Sequence, residues 1–166
     1  MVSEPGGRGF SPSVPPNWLA TRARWCLLDA GTLDLNGFST AKKLELERDG
    51  VIANKAFGTN SVLTGGILIL TSNNTTNLVA VSGATITVRT TGITTSGNGS
   101  LTIGGAAYTG TVVLETNNSH VGGTNVVGGK VVLGVDPAVN TTLFPAKGSF
   151  SVNSGGTLDL MGYTVT

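Results

Sequence analysis

Residues 31–40 read GTLDLNGFST and residues 156–165 read GTLDLMGYTV. The two phrases share GTLDL, a glycine two positions on, and an aromatic directly after that glycine. A phrase that returns near both ends of a chain belongs to a repeated structural unit, so the fold must be one that tolerates repetition. Between the two copies, turn glycines are followed by alternating apolar residues. Seven such anchors are Gly31, Gly50, Gly66, Gly83, Gly99, Gly129 and Gly156. The first five follow one another at nearly even steps, and the last two steps are much longer. Two positions after the anchors stand Leu33, Ile52, Leu68, Thr85, Leu101, Val131 and Leu158, and four after them Leu35, Asn54, Leu70, Thr87, Ile103, Leu133 and Leu160. At Gly83 the phase slips by one, which gives Ile86 and Val88 the inward role. A period of two means strand with one buried face, and no segment shows the 3.6-residue period of a helix. The shorter steps predict one solenoid coil each, and the two longer ones a coil with extra loop residues.

Composition favours stacking of such units. Charged residues make up 11% of the chain, against about 25% in an ordinary globular protein. The polar surface is built instead from 24 Thr and 13 Asn, with 25 Gly at the turns. In-register parallel stacking places like side chains one above another. Stacked charges repel, whereas Thr and Asn ladders carry no such penalty. A single unit cannot bury its apolar face, but neighbours stacked at about 4.8 Å can. The expected fold is therefore all-β, a single parallel β-helix (β-solenoid) over residues 26–166. Residues 1–25 read as a flexible Pro/Gly/Ser-rich leader in which no signal-peptide core is legible. A sandwich of antiparallel hairpins is the alternative that spacing alone leaves open. Leu33, Leu35, Leu68, Leu70, Leu101, Ile103, Val131, Leu133, Leu158 and Leu160 are the expected core, with Asp34 and Asp159 pointing outward.

The stretches LETNNSHVGGTNVVGGKVVLG (114–134) and GSFSVNSGGTLDLMG (148–162) resemble the autotransporter-associated β-strand repeat. GTLDLNGFSTAKKLELERDGVIANKAFGTNSVLTGG (31–66) is similar to that family's stretch between repeats. The resemblance spans roughly residues 28–165. It implies a right-handed β-helix of the kind found in bacterial passenger domains, and an extracellular or cell-surface location.

Chemistry on this scaffold is sparsely provided. A net charge of +1, with Lys42, Lys43 and Arg48 interleaved among Glu45, Glu47 and Asp49, excludes the basic patch of a nucleic-acid binder. No apolar run is long enough for a membrane span. The lone Cys26 forms no intramolecular disulfide and reads as a small buried apolar residue. One His and one Cys cannot supply a zinc site, so neither metal nor cofactor is expected. His120 lies near Glu115 and Ser119, but ETNNSHVGG reads as an Asn-rich turn in which His120 stands in an aromatic slot. Asp34 and Asp159 lie too many anchors apart to form a glycosidase pair, which needs about 5–9.5 Å. The doubled glycines at 65, 104, 122, 128 and 155 lack the Lys and the helix of a phosphate loop and read as corners. The slot three after each anchor reads Asp34, Ala53, Ile69, Ile86, Thr102, Val132 and Asp159, so no Thr array for ice is present there.

The sequence thus points to a non-enzymatic surface module, structural or adhesin-like, with no catalytic, cofactor or metal residues assigned. Its expected partners are further copies joined through the solenoid ends into an oligomer or filament, and a surface glycan or host protein. The alternative is a carbohydrate-active or glycan-binding β-helix, with its site in Lys42–Asp49 or in loops near 106–125 and 134–149.

Overall fold

The structure is a computed structural model that describes residues 25–70, 75–135 and 148–163. The chain is an all-β parallel solenoid. Its strands in order are β1 (Trp25–Asp29), β2 (Thr32–Asp34), β3 (Lys43–Glu47), β4 (Val51–Asn54), β5 (Asn60–Leu63), β6 (Ile67–Ile69), β7 (Thr75–Ala80) and β8 (Thr85–Val88). They continue as β9 (Ile93–Thr95), β10 (Ser100–Ile103), β11 (Thr111–Leu114), β12 (Thr124–Val126), β13 (Gly129–Leu133), β14 (Phe150–Val152) and β15 (Gly156–Asp159).

Three parallel sheets form three faces. Face A stacks β1-β3-β6-β9, face B β2-β4-β7-β10-β12-β14, and face C β5-β8-β11-β13-β15. Every pairing between these strands is parallel, which disposes of the antiparallel sandwich. The coils β3–β4–β5, β6–β7–β8 and β9–β10–β11 carry a strand on every face. The proposed leader, residues 1–25, falls almost wholly outside the described residues, as does the loop near 134–149 in most of its length.

Register turns the alternation into ladders. On face B, Leu33, Ile52, Leu78, Ile103, Val126 and Val152 stand one above another. On face C, Leu63, Val88, Leu114 and Leu133 do the same. Face A contributes Leu44, Ile67 and Ile93. Apart from Val152, which is exposed at the edge, these ladders converge on one continuous core. Each such side chain, fully buried, contributes roughly 1.5–3 kcal/mol through the area it removes from water.

Two expectations need correction. The first is the coil length. In register, Val51 faces Asn77, Ile67 faces Ile93 and Thr85 faces Thr111, the same step along the chain on each face. That step is well over the distance from Gly50 to Gly66 or from Gly66 to Gly83. Coils also differ among themselves, from the short one between Trp25 and Lys43 to the long one between Lys130 and Thr157. Glycine turns occur at more than one corner of a three-faced coil. Gly50, Gly66 and Gly83 open β4, β6 and β8, which lie on three different faces, so the short steps between these anchors ran from corner to corner and not from coil to coil.

The second is the core register around Gly66. Ile67 and Ile69 are buried there, while Leu68 and Leu70 are partly exposed. A strand that starts one residue earlier inverts every side chain in it. The same one-residue phase reaches the slot taken for the outward row, since Ile69 and Ile86 are buried and Ala53 is covered as well. The slip assigned at Gly83 is correct, with Ile86 and Val88 fully buried. Leu33, Leu35, Leu101, Ile103, Val131 and Leu133 are buried as expected. Leu158 and Leu160 pack against the core but are only half-buried, because β15 is the edge strand of face C.

The repeated phrase encodes one local device. Asp34 Oδ1 accepts from Asn36 N at 3.1 Å, and Asp159 Oδ1 accepts from Met161 N at 2.9 Å. Phe38 N and Tyr163 N then donate to Leu35 O and Leu160 O, both at 2.8 Å. Between them Asn36 and Gly37, like Met161 and Gly162, take left-handed backbone conformations. This is the turn that an aspartate folding back on its own backbone favours. Its two copies occupy different corners, because β2 belongs to face B and β15 to face C.

Charges, where present, tie successive coils. Arg48 pairs with Asp29, Arg89 with Glu115, and Lys130 Nζ with Asp159 Oδ2 at 2.7 Å. Arg48 as a hydrogen-bond donor holds the Asp29 carboxyl below the usual range, and Lys130 does the same for Asp159. Opposite signs thus meet in adjacent coils, although like charges also stack at one place, where Asp29 stands opposite Glu47 in register beside the Arg48 that pairs with Asp29.

Candidate functional site

His120 is placed by the coil that lacks a strand on face A. Ser119 N donates to Ile93 O at 2.8 Å, so residues 118–120 run along β9 without forming a strand. Asn118 is buried; its Oδ1 accepts from Ile93 N at 2.9 Å and its Nδ2 donates to Thr116 O at 3.0 Å. The chain then turns the His120 ring inward, 1% exposed, with Nε2 2.6 Å from Thr124 Oγ1. Glu115 instead faces Arg89, and Ser119 is exposed. The three residues that sequence proximity brings together therefore form no relay. Nδ1 of His120 has no hydrogen-bond partner. The ring fills the interior beneath this turn.

This burial predicts a pH dependence. Desolvation pushes the His120 imidazole down to about 4. In the unfolded chain it titrates near 6.5, so below that pH the unfolded state binds a proton that the folded state refuses. Its contribution is complete above about pH 6.5 and is lost as pH falls through about 4. The expected loss across that window is about 3 kcal/mol. Asp29 and Asp159, held low by their partners, lose their contributions only at lower pH. Urea denaturation of the wild type and of His120→Gln at a series of pH values checks this. The variant should be nearly flat between pH 6.5 and 4, and parallel curves would contradict the assignment.

The Lys42–Asp49 region supplies no cluster either. Leu44 and Leu46 enter the core, while Glu45 is covered on the outer side and pairs with Lys43 at 3.4 Å. Asp49 Oδ1 accepts from Thr75 N at 3.1 Å. Among the described residues, no group of three His, Cys, Asp or Glu side chains is placed to hold a metal ion. No described helix is long and apolar enough to cross a membrane. Cys26 lies in β1 opposite Leu44, but its side chain lies outside the described residues.

A concave site does exist, on the outer side of face B. Thr32, Val51 and Asn77 follow one another in register on three adjacent coils. Beside them, Ala53 and Val79 also occupy the outer row, yet both are buried. Residues Gly104–Tyr108, between β10 and β11, fold back over this part of the sheet. Tyr108 N donates to Gly105 O at 2.9 Å and closes the loop on itself. Together they enclose a groove of about 340 Å³ with Val51 and Val79 in its wall and Lys55, Asn77 and Tyr108 among its lining side chains. Phe38 and Phe57 project from the same corner on earlier coils, 42% and 79% exposed. The sequence reading included residue 108 in a broad loop region but had no signal for the groove. Its walls are assembled from positions a full coil apart along the chain, and only the register brings them together.

No family model matches this chain, and no curated protein or solved structure matches it in sequence or fold.

Proposed function

We propose that the chain is a non-enzymatic structural module of an extracellular or surface-exposed protein, adhesin-like in the sense of an extended scaffold with a recognition surface. What supports this reading is the use made of its carboxylates. Asp29, Glu115 and Asp159 are tied by cations of neighbouring coils, and Glu45 pairs with Lys43 on its own strand. Asp34 and Asp49 accept backbone amides. Acids consumed in joints between coils and in turns are acids of a scaffold, whereas acid/base hydrolysis needs two facing one cleft. The resemblance to the autotransporter-associated repeat supports the surface assignment. Assays on a polysaccharide panel should reveal no new reducing ends or unsaturated products; turnover that is lost in Glu45→Gln would establish the carbohydrate-active alternative instead.

Association end to end belongs to the same proposal. Among the described residues, β14 and β15 are edge strands, and Val152, Leu158 and Leu160 show apolar surface there. Such an edge is a template for a further coil. The two GTLDL copies lie on different faces, so a neighbour would have to match sheet edge to sheet edge and not phrase to phrase. Sedimentation at micromolar concentration should show mass increasing with concentration. A monodisperse monomer throughout would overturn the association and leave the scaffold assignment intact.

A further inference from the structure

We propose that the groove on face B is a binding site for a short oligosaccharide that carries a carboxylate, with Tyr108 packing on a sugar ring and Lys55 pairing the acid. The groove offers three kinds of contact in one place. Val51, Val79 and the Tyr108 ring give an apolar surface for the C–H face of a ring. The Asn77 amide supplies a donor and an acceptor together, the pair that adjacent hydroxyls require. Lys55 supplies the positive charge. Among the described residues, the side chains of Lys55, Asn77 and Tyr108 make no hydrogen bond or ion pair within the chain, so all three polar groups are open to a ligand. That sets this place apart, because most other charged side chains are engaged between coils. A wall that is largely apolar with a few convergent polar groups is the usual composition of a small-molecule site, and about 340 Å³ lies at the small end of the usual range.

The charge environment narrows the class. Among the described residues, Lys55 is the one charged residue that lines the groove. Its backbone N–H donates to Asp34 Oδ1 at 3.2 Å, which places a carboxylate beside the rim. That neighbour leaves room for one negative charge and opposes two, which favours a sugar acid over a phosphate ester. With a net charge of +1, the chain has no field to attract a dense polyanion. Phe38 and Phe57, on the same corner, extend the aromatic surface beyond the groove for a longer ligand. The proposal is independent of the scaffold assignment, because a site of this kind serves a structural module or an enzyme equally.

The test is a titration of the isotopically labelled full chain, followed by NMR, with an aldotriouronate, a trisaccharide whose single carboxylate sits on one uronic acid ring, and, in parallel, neutral xylotriose. The aldotriouronate should bind saturably and shift the amides of residues 51, 55, 77 and 104–108. Tyr108→Ala should weaken binding about tenfold and Tyr108→Phe hardly at all. Lys55→Gln should weaken it about fivefold and abolish the preference over xylotriose. Asp34→Asn, which keeps the acceptor of the turn and removes the charge, should strengthen it. Thermal midpoints of the variants show whether each has kept its fold. Equal binding of the two sugars by the wild type, shifts confined to another face, affinity unchanged in folded Tyr108→Ala, or no saturable binding would each overturn the proposal.

Discussion

Gly104→Ala should cost more stability than any other single methyl group added at the corners of face B, at least about 4 kcal/mol. Gly104 closes β10 in a left-handed conformation, φ +79°, and its Cα lies against the next coil. A Cβ built there would stand 1.8 Å from Gly128 O and 2.4 Å from Gly128 C. Left-handed backbone alone costs an alanine about 1–2 kcal/mol. The overlap adds more, because the obstacle is main chain and cannot swing aside as a side chain does. Relief requires the coil of β12 and β13 to move away, yet Val127 N holds Ile103 O at 2.9 Å on one side of the corner and Lys130 N holds Gly110 O at 3.0 Å on the other.

Gly58 is the internal control. It is equally left-handed, φ +72°, but an added Cβ meets nothing within 4 Å. Gly58→Ala should therefore cost only the backbone strain, about 1 kcal/mol. For a chain of this size that is about 2–4 °C in the thermal midpoint, against about 10 °C or more for Gly104→Ala. Because each coil touches only its neighbours, the damage should be local. Hydrogen exchange in Gly104→Ala should lose protection in β12, β13 and β15 while β3–β8 stay protected. Equal costs for the two substitutions would show that the corner is soft.

This contrast marks what the sequence carries and what it does not. Alternation after glycine identified strands and a repeating parallel stack, since burial on one face leaves a period of two in the chain. The same glycines misled on the length of a coil. A turn glycine looks the same at any corner, and nothing local says which face follows. Leu68 shows the limit at the scale of one residue. Ile67, Leu68, Ile69 and Leu70 are all apolar, so the run has no alternation to fix its phase, and hydrogen bonding of Leu44 N to Gly66 O at 3.0 Å settles it. The groove was less legible still. Thr32, Val51 and Asn77 are unremarkable singly, and Tyr108 sits in a glycine- and alanine-rich loop. They become a site only when two coils of unequal length set them side by side. The inward direction of His120 depends on Asn118 occupying the place of a strand on face A, which no local signal in the sequence announces.

Asn54 is the other large expected effect, and it sits where the apolar pattern breaks. The position four after each anchor is mostly apolar, and Asn54 is wholly buried. Its Oδ1 accepts from Gly37 N at 3.0 Å, from Thr59 Oγ1 at 3.2 Å and from Ala56 N at 3.3 Å. Its Nδ2 donates to Thr85 O at 2.9 Å and Thr59 O at 3.3 Å. Gly37, Thr59 and Thr85 belong to three successive coils, so one amide joins them at the corner between faces B and C. Asn54→Ala removes every one of these contacts at once, from part-buried groups of three coils and from a side chain that is itself wholly buried, and each lost hydrogen bond costs about 0.5–1.5 kcal/mol. The expected loss is about 4 kcal/mol, and Asn54→Leu should not restore it, because volume is not what is missing. Asn54→Asp is the sharper test. It keeps the acceptor and loses the donor, and it brings a carboxylate against Thr85 O and Thr59 O out of water. With no N–H left between them, the carboxylate and the two carbonyls face one another directly, so Asn54→Asp should be less stable than the wild type at pH 7 although it keeps the volume and the acceptor. Denaturant midpoints of the three variants at pH 7 measure these predictions. An Asn54→Leu chain as stable as the wild type would show that the amide is replaceable by packing and that the corner is held by its backbone alone.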